Sequence, residues 1–420
     1  MPDPVEPAPI ATSPTPERSR FARTFESLAI RDFRLLWSGT ILSGFGQWGQ
    51  QISLNWLVFV LTDSAVQLGG VSAAAGIVAI TVTPFAGLLA DRVPRRTILW
   101  TSSLFGAATA GVIAVLVIAN LIEVWHAYAF ALISGLSMAI NQPARQAAVY
   151  DTSTPDTFQN AVAMNSLAMN LARIVGPIAA GFIAVWSLTA AFALVTLMRA
   201  LAALTAFMLT HRPAAAVSSG RSPLADIVEG FRYLFSDARL ASLWFVNAFP
   251  AFIVYPYVAF LPVFSEEVLG AGSGGYGLLA AMMGIGSTVG LLILAVIGSL
   301  SRRGLWMMTG FLTYLGFIAV FTQSEILYLS LALLVGAGVV HGFALTLNTV
   351  LFQTAVRDDM RGRGMAAWQL GFALMPLGAL PVGFLIERYD VQTGTLIPVI
   401  LCAAVFIPLT LLWRPLRTMP

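Results

Sequence analysis

The sequence predicts an all-α membrane protein whose twelve transmembrane helices fall into two six-helix halves. Three observations carry this reading. Of 420 residues, 58% are hydrophobic and only 10% are charged, with a mean hydropathy of +0.81, whereas a soluble domain carries about a quarter charged residues. Apolar runs recur along the chain, each near the roughly 20 residues needed to cross a hydrocarbon core about 30 Å thick. The longest polar interruption, 211–239, falls near the middle.

Taken in order, residues 1–30 begin with six prolines in the first twenty positions and contain no apolar run, which reads as a disordered cytoplasmic tail. Spans are then expected at about 33–61, 66–90, 97–120, 124–149, 160–186 and 188–210, and again at about 240–264, 274–300, 304–322, 326–353, 364–388 and 394–413. Residues 31–210 thus form one bundle, 240–413 a second, and 414–420 a short cytoplasmic tail. Within the 211–239 linker, Ser222-Pro223 suits a helix start. Leu224, Ile227, Val228, Phe231, Leu234 and Phe235 then recur at helical spacing opposite Asp226, Glu229 and Arg232, which predicts an amphipathic helix on the inner membrane surface.

All 23 basic residues are arginine. With the N-terminus inside, 20 of the 23 fall in inner segments, Arg388 alone lies outside, and Arg173 and Arg199 lie within spans. The positive-inside rule therefore places both termini of this multi-pass protein of the cell (plasma or inner) membrane in the cytoplasm. The single cysteine, Cys402, allows neither a disulfide framework nor a cysteine metal cluster, and three scattered histidines make a poor metal site. With no buried cluster of His, Cys or carboxylates and no nucleotide-binding loop, an enzyme is not expected. The expected partners are membrane lipids and a small-molecule substrate, with no cofactor, no nucleic acid and a monomeric chain.

The halves echo one another faintly. Gly87 to Arg96 finds a worn counterpart in Gly298 to Arg303, and Gly181-Phe182-Ile183 in Gly383-Phe384-Leu385. Offsets near half the chain suggest parallel repeats about an axis along the membrane normal.

Between spans 2 and 3 the chain reads Gly87-Leu88-Leu89-Ala90-Asp91-Arg92-Val93-Pro94-Arg95-Arg96. This resembles the signature loop of the major facilitator superfamily, G-x-L-A-D-R-x-x-R-R. The resemblance covers about residues 30 to 415 and is closest to the branch of drug:proton antiporters and the enterobactin exporter. The narrower match rests on Arg31-Asp32-Phe33-Arg34-Leu35-Leu36-Trp37, Asn141-Gln142-Pro143-Ala144-Arg145-Gln146, the stretch from Asn165 to Pro177, and Arg361-Gly362-Arg363-Gly364-Met365. It implies that Asp91 faces the start of span 11 near Arg361, Arg363 and Gly364 and holds the inner gate shut. Such a lock is worth about 1–2 kcal/mol, enough to bias two states. Arg92 belongs to the same gating loop, and Arg95 and Arg96 would pair with inner acids or lipid heads. Span 5 also resembles the antiporter motif G-x-x-x-G-P-x-x-G-G through Gly176, Pro177 and Gly181, with Ala172 and Ala180 replacing two glycines. Span 4 departs from many proton-coupled relatives, because its start, His126 to Phe130, has no membrane-embedded arginine.

In this family spans 1, 4, 7 and 10 line the cavity. Span 1 carries Ser43, Gln47, Gln51 and Asn55 every fourth residue, with Gln50 adjacent, and polar groups at that depth face protein or a water-filled cavity. Asn170 and Arg173 of span 5, Asn141 of span 4, and His341 and Asn348 of span 10 complete the candidate cavity set. Arg145 is expected on Asp151, Asp91 or substrate, and Arg199 to snorkel. The acids Asp63, Glu123, Glu266, Glu267, Glu325, Glu387 and Asp390 all sit at outer ends, so a neutral or anionic substrate is favoured. His341, Asp91 and Glu266 or Glu267 are the candidates for carrying the coupling proton. The expected function is proton-coupled efflux of a small amphipathic, drug- or siderophore-like molecule by alternating access. The alternatives are an importer on the same fold, or a lipid flippase or other non-solute membrane protein.

Overall fold

The computed structural model describes residues 25–210, 223–298 and 300–412, without the side chains of Pro84, Gly87, Leu88, Ala90, Asp91 and Pro223. The expectations for residues 1–24 and 414–420, for Ser222 as a cap, and for the gating roles of Gly87 and Asp91 lie outside the described residues. The end of the expected disordered tail is ordered instead: Glu26–Ala29 form a 3-10 turn, and the buried Ser27 hydroxyl donates to the Asn160 Oδ1 at 2.6 Å.

The described chain is helical almost throughout. α1 (Arg31–Thr62), α2 (Ala65–Arg92), α3 (Arg95–Ile118), α4 (Val124–Asp151), α5 (Phe158–Trp186) and α6 (Leu188–Phe207) follow one another with turns of a few residues. Ser64 and Ser187 begin α2 and α6 by accepting the Gln67 and Ala190 backbone N–H groups, which satisfies donors that a helix start leaves free. α7 (Pro223–Ser236) is the linker helix. α8 (Ala238–Ile253), α9 (Gly272–Ile297), α10 (Arg303–Thr322), α11 (Leu327–Ala355), α12 (Arg361–Phe372), α13 (Met375–Arg388) and α14 (Val391–Leu412) complete the chain.

Among the described residues, eleven helical segments are long and apolar enough to cross a membrane. α1 is long enough at 32 residues, but Gln47, Gln50, Gln51 and Asn55 keep its hydropathy below theirs. Two spans expected as single helices are broken instead. α8 stops at Ile253 and continues as 3-10 turns and one π turn to Val268, because Pro256 and Pro262 lack the N–H that an α-helix requires. Span 11 divides between α12 and α13, and Pro376 falls in the first turn of α13, where proline is tolerated.

Packing repeats along the chain. In the first set of helices α2 lies on α4, α3 on α6, and α1 on α5 and α6. In the second, α9 lies on α11 and α10 on α14. The sets meet through two equivalent pairs, α5 with α9 and α2 with α13. Both contacts depend on glycine. A Cβ on Gly181 would stand 2.7 Å from the Gly277 Cα and the Ser273 carbonyl, and one on Gly383 would stand 2.6 Å from the Ala65 carbonyl, distances only a bare backbone permits.

These approaches lie toward the end of the bundle that carries Asp63, Glu123 and Glu387. There Asn55 donates to the Tyr276 hydroxyl at 3.2 Å, and the Glu387 carboxylate accepts from the Ser64 hydroxyl and, at 3.0 Å, from the Val66 N–H. Toward the arginine-rich end, Phe85 and Leu89 of α2 and Leu292 and Val296 of α9 are exposed. The glycine-mediated approaches between the sets, from Gly383 on Ala65 to Gly76 on Pro376 and from Gly181 on Gly277 to Gly284 beside Arg173, all fall between the acid-rich end and mid-span, so the two sets close at that end and part beyond it, leaving a cleft. Trp125, Trp186 and Tyr328, at helix ends on the acid-rich side, are also exposed, as interfacial aromatics are. Cys402 is buried in α14.

Candidate functional site

The cleft narrows at a polar junction. Asn55 is buried on the Tyr276 hydroxyl and so ties the two sets together rather than offering itself to a guest. One and two turns nearer the arginine-rich end, on the same helix face, Gln51 is exposed and Gln47 partly so, which turns both toward the widening cleft. Gln50 faces the other way and bonds the Ser134 hydroxyl.

Arg173 of α5 stands at this junction beside Gly284 of α9. Its guanidinium lies 5.7 Å from the centre of the Trp48 ring, a cation–π distance. No carboxylate pairs with it among the described residues. His341 sits edge-on to Tyr255 at 4.9 Å and beside Tyr314 at 5.0 Å. Its Nε2 and the Tyr255 hydroxyl are buried without a hydrogen-bond partner among the described residues. The junction thus offers one cation, one free imidazole nitrogen and aromatic walls. Asn170 lies one turn from Arg173, but its amide donates to the Ser166 carbonyl at 3.0 Å.

Other predicted cavity residues are spent on structure. Asn348 is fully buried and donates to the Leu243 carbonyl at 3.0 Å while accepting the Trp368 indole N–H at 3.1 Å. It fastens α11 to α8 and α12 and does not reach the cleft. Asn141 donates to the Ser102 hydroxyl at 2.7 Å and accepts from Arg145 at 3.1 and 3.2 Å. Arg145 also donates to the Thr40 hydroxyl at 2.9 Å, so it pairs with neutral groups instead of Asp151, which Arg95 takes. Arg199 does not snorkel: it is 8% exposed, wedged over Gly46 of α1 and Gly106 of α3. A charge so placed costs about 2.5–3.5 kcal/mol at a helix centre.

In the gating set, Arg363 bonds Asp226 at 3.1 Å and Glu229 at 2.9 Å, both on α7. In this state it is held by the linker helix, whose acidic face docks on α12 while Leu224, Val228 and Phe235 stay exposed. Arg361 pairs with Asp358 at 2.6 Å, Arg96 lies 4.8 Å over the Phe207 ring and on no acid among the described residues, and Arg92 is exposed. The antiporter-like stretch packs α5 on two sides. Gly176 meets α1 at Trp48 and Phe45, and the Pro177 carbonyl and Gly181 meet α9 at Gly277. Sequence reasoning missed Tyr276 and Tyr314. The signal was a tyrosine in an apolar span, whose hydroxyl must find company when buried.

The family model described as transmembrane secretion effector matches residues 22–418. The chain is 26% identical over 355 residues to the staphyloferrin A transporter of Staphylococcus aureus, covering 83% of this chain and 87% of that one. It is 22% identical over 402 residues to macrolide efflux protein A of Streptococcus pyogenes, covering 90% and 95%. Among solved structures it superposes on the nucleoside transporter NupG with a TM-score of 0.70 at 17% identity, covering 90% and 100%. It also superposes on a bacterial homolog of the human lysosomal transporter Spinster, inward-facing and unoccupied, with a TM-score of 0.70 at 15% identity, covering 96% and 98%.

Proposed function

Because the chain belongs to the transmembrane secretion effector family of major facilitator transporters, we propose that it is a proton-coupled exporter of a small amphipathic molecule that is anionic or neutral. The observation that carries the substrate reading is Arg173. It is a cation at the narrow end of the cleft with no carboxylate partner among the described residues, set against Trp48. A half-buried cation without a counter-charge favours a guest that brings one, and the aromatic surface suits the guest's apolar part. The likeness to a staphyloferrin A transporter and a macrolide efflux protein supports a cargo of siderophore or antibiotic size and an outward direction.

We adopt twelve crossings in two six-helix units, 31–210 and 240–413, joined by the linker helix. The repeated pairing of helices supports this arrangement, with α1 as a polar but spanning helix. The arginine bias supports a cytoplasmic arginine-rich end and two cytoplasmic termini, so that the cleft opens inward, ready to load. Closure brings Asp91 to the start of α12, and Arg363 passes from Asp226 and Glu229 to the gate. The antiporter-like Gly176, Pro177 and Gly181 support protons as the coupling ion.

The test is proton flux in inside-out vesicles challenged with siderophores, macrolides, dyes and lipophilic cations. Anionic or neutral compounds should release protons. Arg173→Gln should weaken response to the anionic ones at least tenfold, since a charge-assisted hydrogen bond is worth about 1.5–3 kcal/mol. Transport confined to lipophilic cations would overturn the reading.

A further inference from the structure

The acid-rich end is held by a contact whose residues the sequence carries twice. Span 2 ends in Gly87-Leu88-Leu89-Ala90-Asp91-Arg92, and span 11 ends in Gly383-Phe384-Leu385-Ile386-Glu387-Arg388. Each stretch has a glycine, a leucine two places on, an acid four places on and an arginine after it. Each also closes its helix, since α2 ends at Arg92 and α13 at Arg388. The two helices are packed on one another and run in opposite directions, because Gly383 meets Ala65 while Gly76 meets Pro376. The last turn of α13 therefore lies at the first turn of α2.

There the geometry is visible. A Cβ on Gly383 would stand 2.6 Å from the Ala65 carbonyl, so the bare glycine lets α13 approach the start of α2. Glu387 follows one turn later on the same helix face. Its carboxylate accepts the Ser64 hydroxyl and, at 3.0 Å, the Val66 N–H. Ser64 is the N-cap of α2, and the Val66 N–H is one of the donors that a helix leaves free at its start. A carboxylate in that place also meets the positive end of the helix dipole. A helix of one set is thus capped by an acid of the other. Glu387 is exposed, so this contact can break without uncovering a core. At the arginine-rich end the roles are exchanged: the end of α2 carries the acid, α12 supplies the helix start, and the two sets stand apart.

We propose that Glu387 is the outer latch of the transporter, the counterpart of Asp91 on the same pair of spans. The two latches are made alternately, Glu387 on the start of α2 when the cleft opens inward and Asp91 on the start of α12 when it opens outward. This rests on the alternating-access reading given above, with the arginine-rich end inside. It makes Glu387 a positioning residue that acts on the gate and touches no cargo.

The experiment measures two distances in the purified full-length protein, each between spin labels on introduced cysteines. Trp125→Cys with Tyr328→Cys reports the acid-rich end, and Phe85→Cys with Val296→Cys the parted end. All four positions are exposed, and each pair joins opposite sets. Removing a carboxylate from a helix start, with its hydrogen bonds, changes a two-state ratio about fivefold. Glu387→Ala should therefore raise the ratio of outward-open to inward-open molecules by that factor, lengthening the first distance and shortening the second together. Glu387→Gln, which keeps the acceptor and loses the charge, should fall between. A first distance that lengthens while the second stays fixed would make Glu387 a local brace and overturn the proposal. Distances that Glu387→Ala leaves unchanged but Gly181→Val moves would overturn it while leaving alternation in place. Distances that neither variant moves would reject alternation together with the latch.

Discussion

Removing the amide of Asn348 would strand two groups with no water to turn to, the Leu243 carbonyl and the Trp368 indole N–H. Asn348→Ala should therefore cost about 1–3 kcal/mol of stability. Gln51→Ala, at an exposed position on the cleft side of α1, should change stability by less than about 0.5 kcal/mol and lower transport instead. A thermal unfolding comparison that reversed this order would reject the assignment of the two residues. The contrast also marks what was legible at this scale. Sequence placed Gln47, Gln51, Asn55, Asn141, His341 and Asn348 within spans, because polar groups stand out against apolar runs. It could not say which way each one turned. In a soluble helix the polar face points to water, but here both lipid and protein neighbours are apolar, so periodicity carries little rotational information. Only contacts separate Asn348, locked into the second set, from Gln51, open to the cleft.

Elements explain where the two sets of helices can and cannot move. α5 and α9 touch through bare backbone at Gly181 and Gly277, so Gly181→Val should pry open the acid-rich end and shift the population away from the closed contact seen there. Spin labels placed on α5 and α9 near that end should move apart; unchanged distances would contradict the role given to this glycine. The repeat of Gly181-Phe182-Ile183 and Gly383-Phe384-Leu385 is explained by the same geometry, since both glycines sit where one set meets the other. The breaks in spans 7 and 11 were readable in principle from Pro256, Pro262 and Pro376, but hydropathy averages over a window and hides them. The docking of α7 was not readable. Its amphipathic pattern fits a membrane surface, yet Asp226 and Glu229 are used against Arg363. These side chains are 28–47% exposed, so a double-mutant cycle on Asp226 and Arg363 should give a coupling of about 0.2–1 kcal/mol, falling with salt. Zero coupling at low salt would mean that α7 is held without these ion pairs, by Phe231 and Phe235 against Trp244 and by the Tyr233 hydroxyl, which accepts the Arg357 N–H at 3.0 Å.

For the whole molecule, the pattern of helix pairing supports two sets of helices, and the arginine bias supports the proposed cytoplasmic placing of one end. An exporter that loads from the cytoplasm should rest open on that side, and alternating access then requires the arginine-rich end to close when the acid-rich end opens. The buried position of the sole cysteine makes this motion unusually easy to follow. Because Cys402 is sealed within α14, the folded protein presents a silent background to thiol reagents, and no native cysteine has to be removed. Single cysteines introduced at Phe85 and Val296, on helices of opposite sets and exposed toward the parted end, would accept a fluorophore or crosslinker in the otherwise natural chain. A rate of modification that falls when cargo and a proton gradient are supplied would record the cycle directly. Reaction of Cys402 itself would report the moment at which the fold is lost.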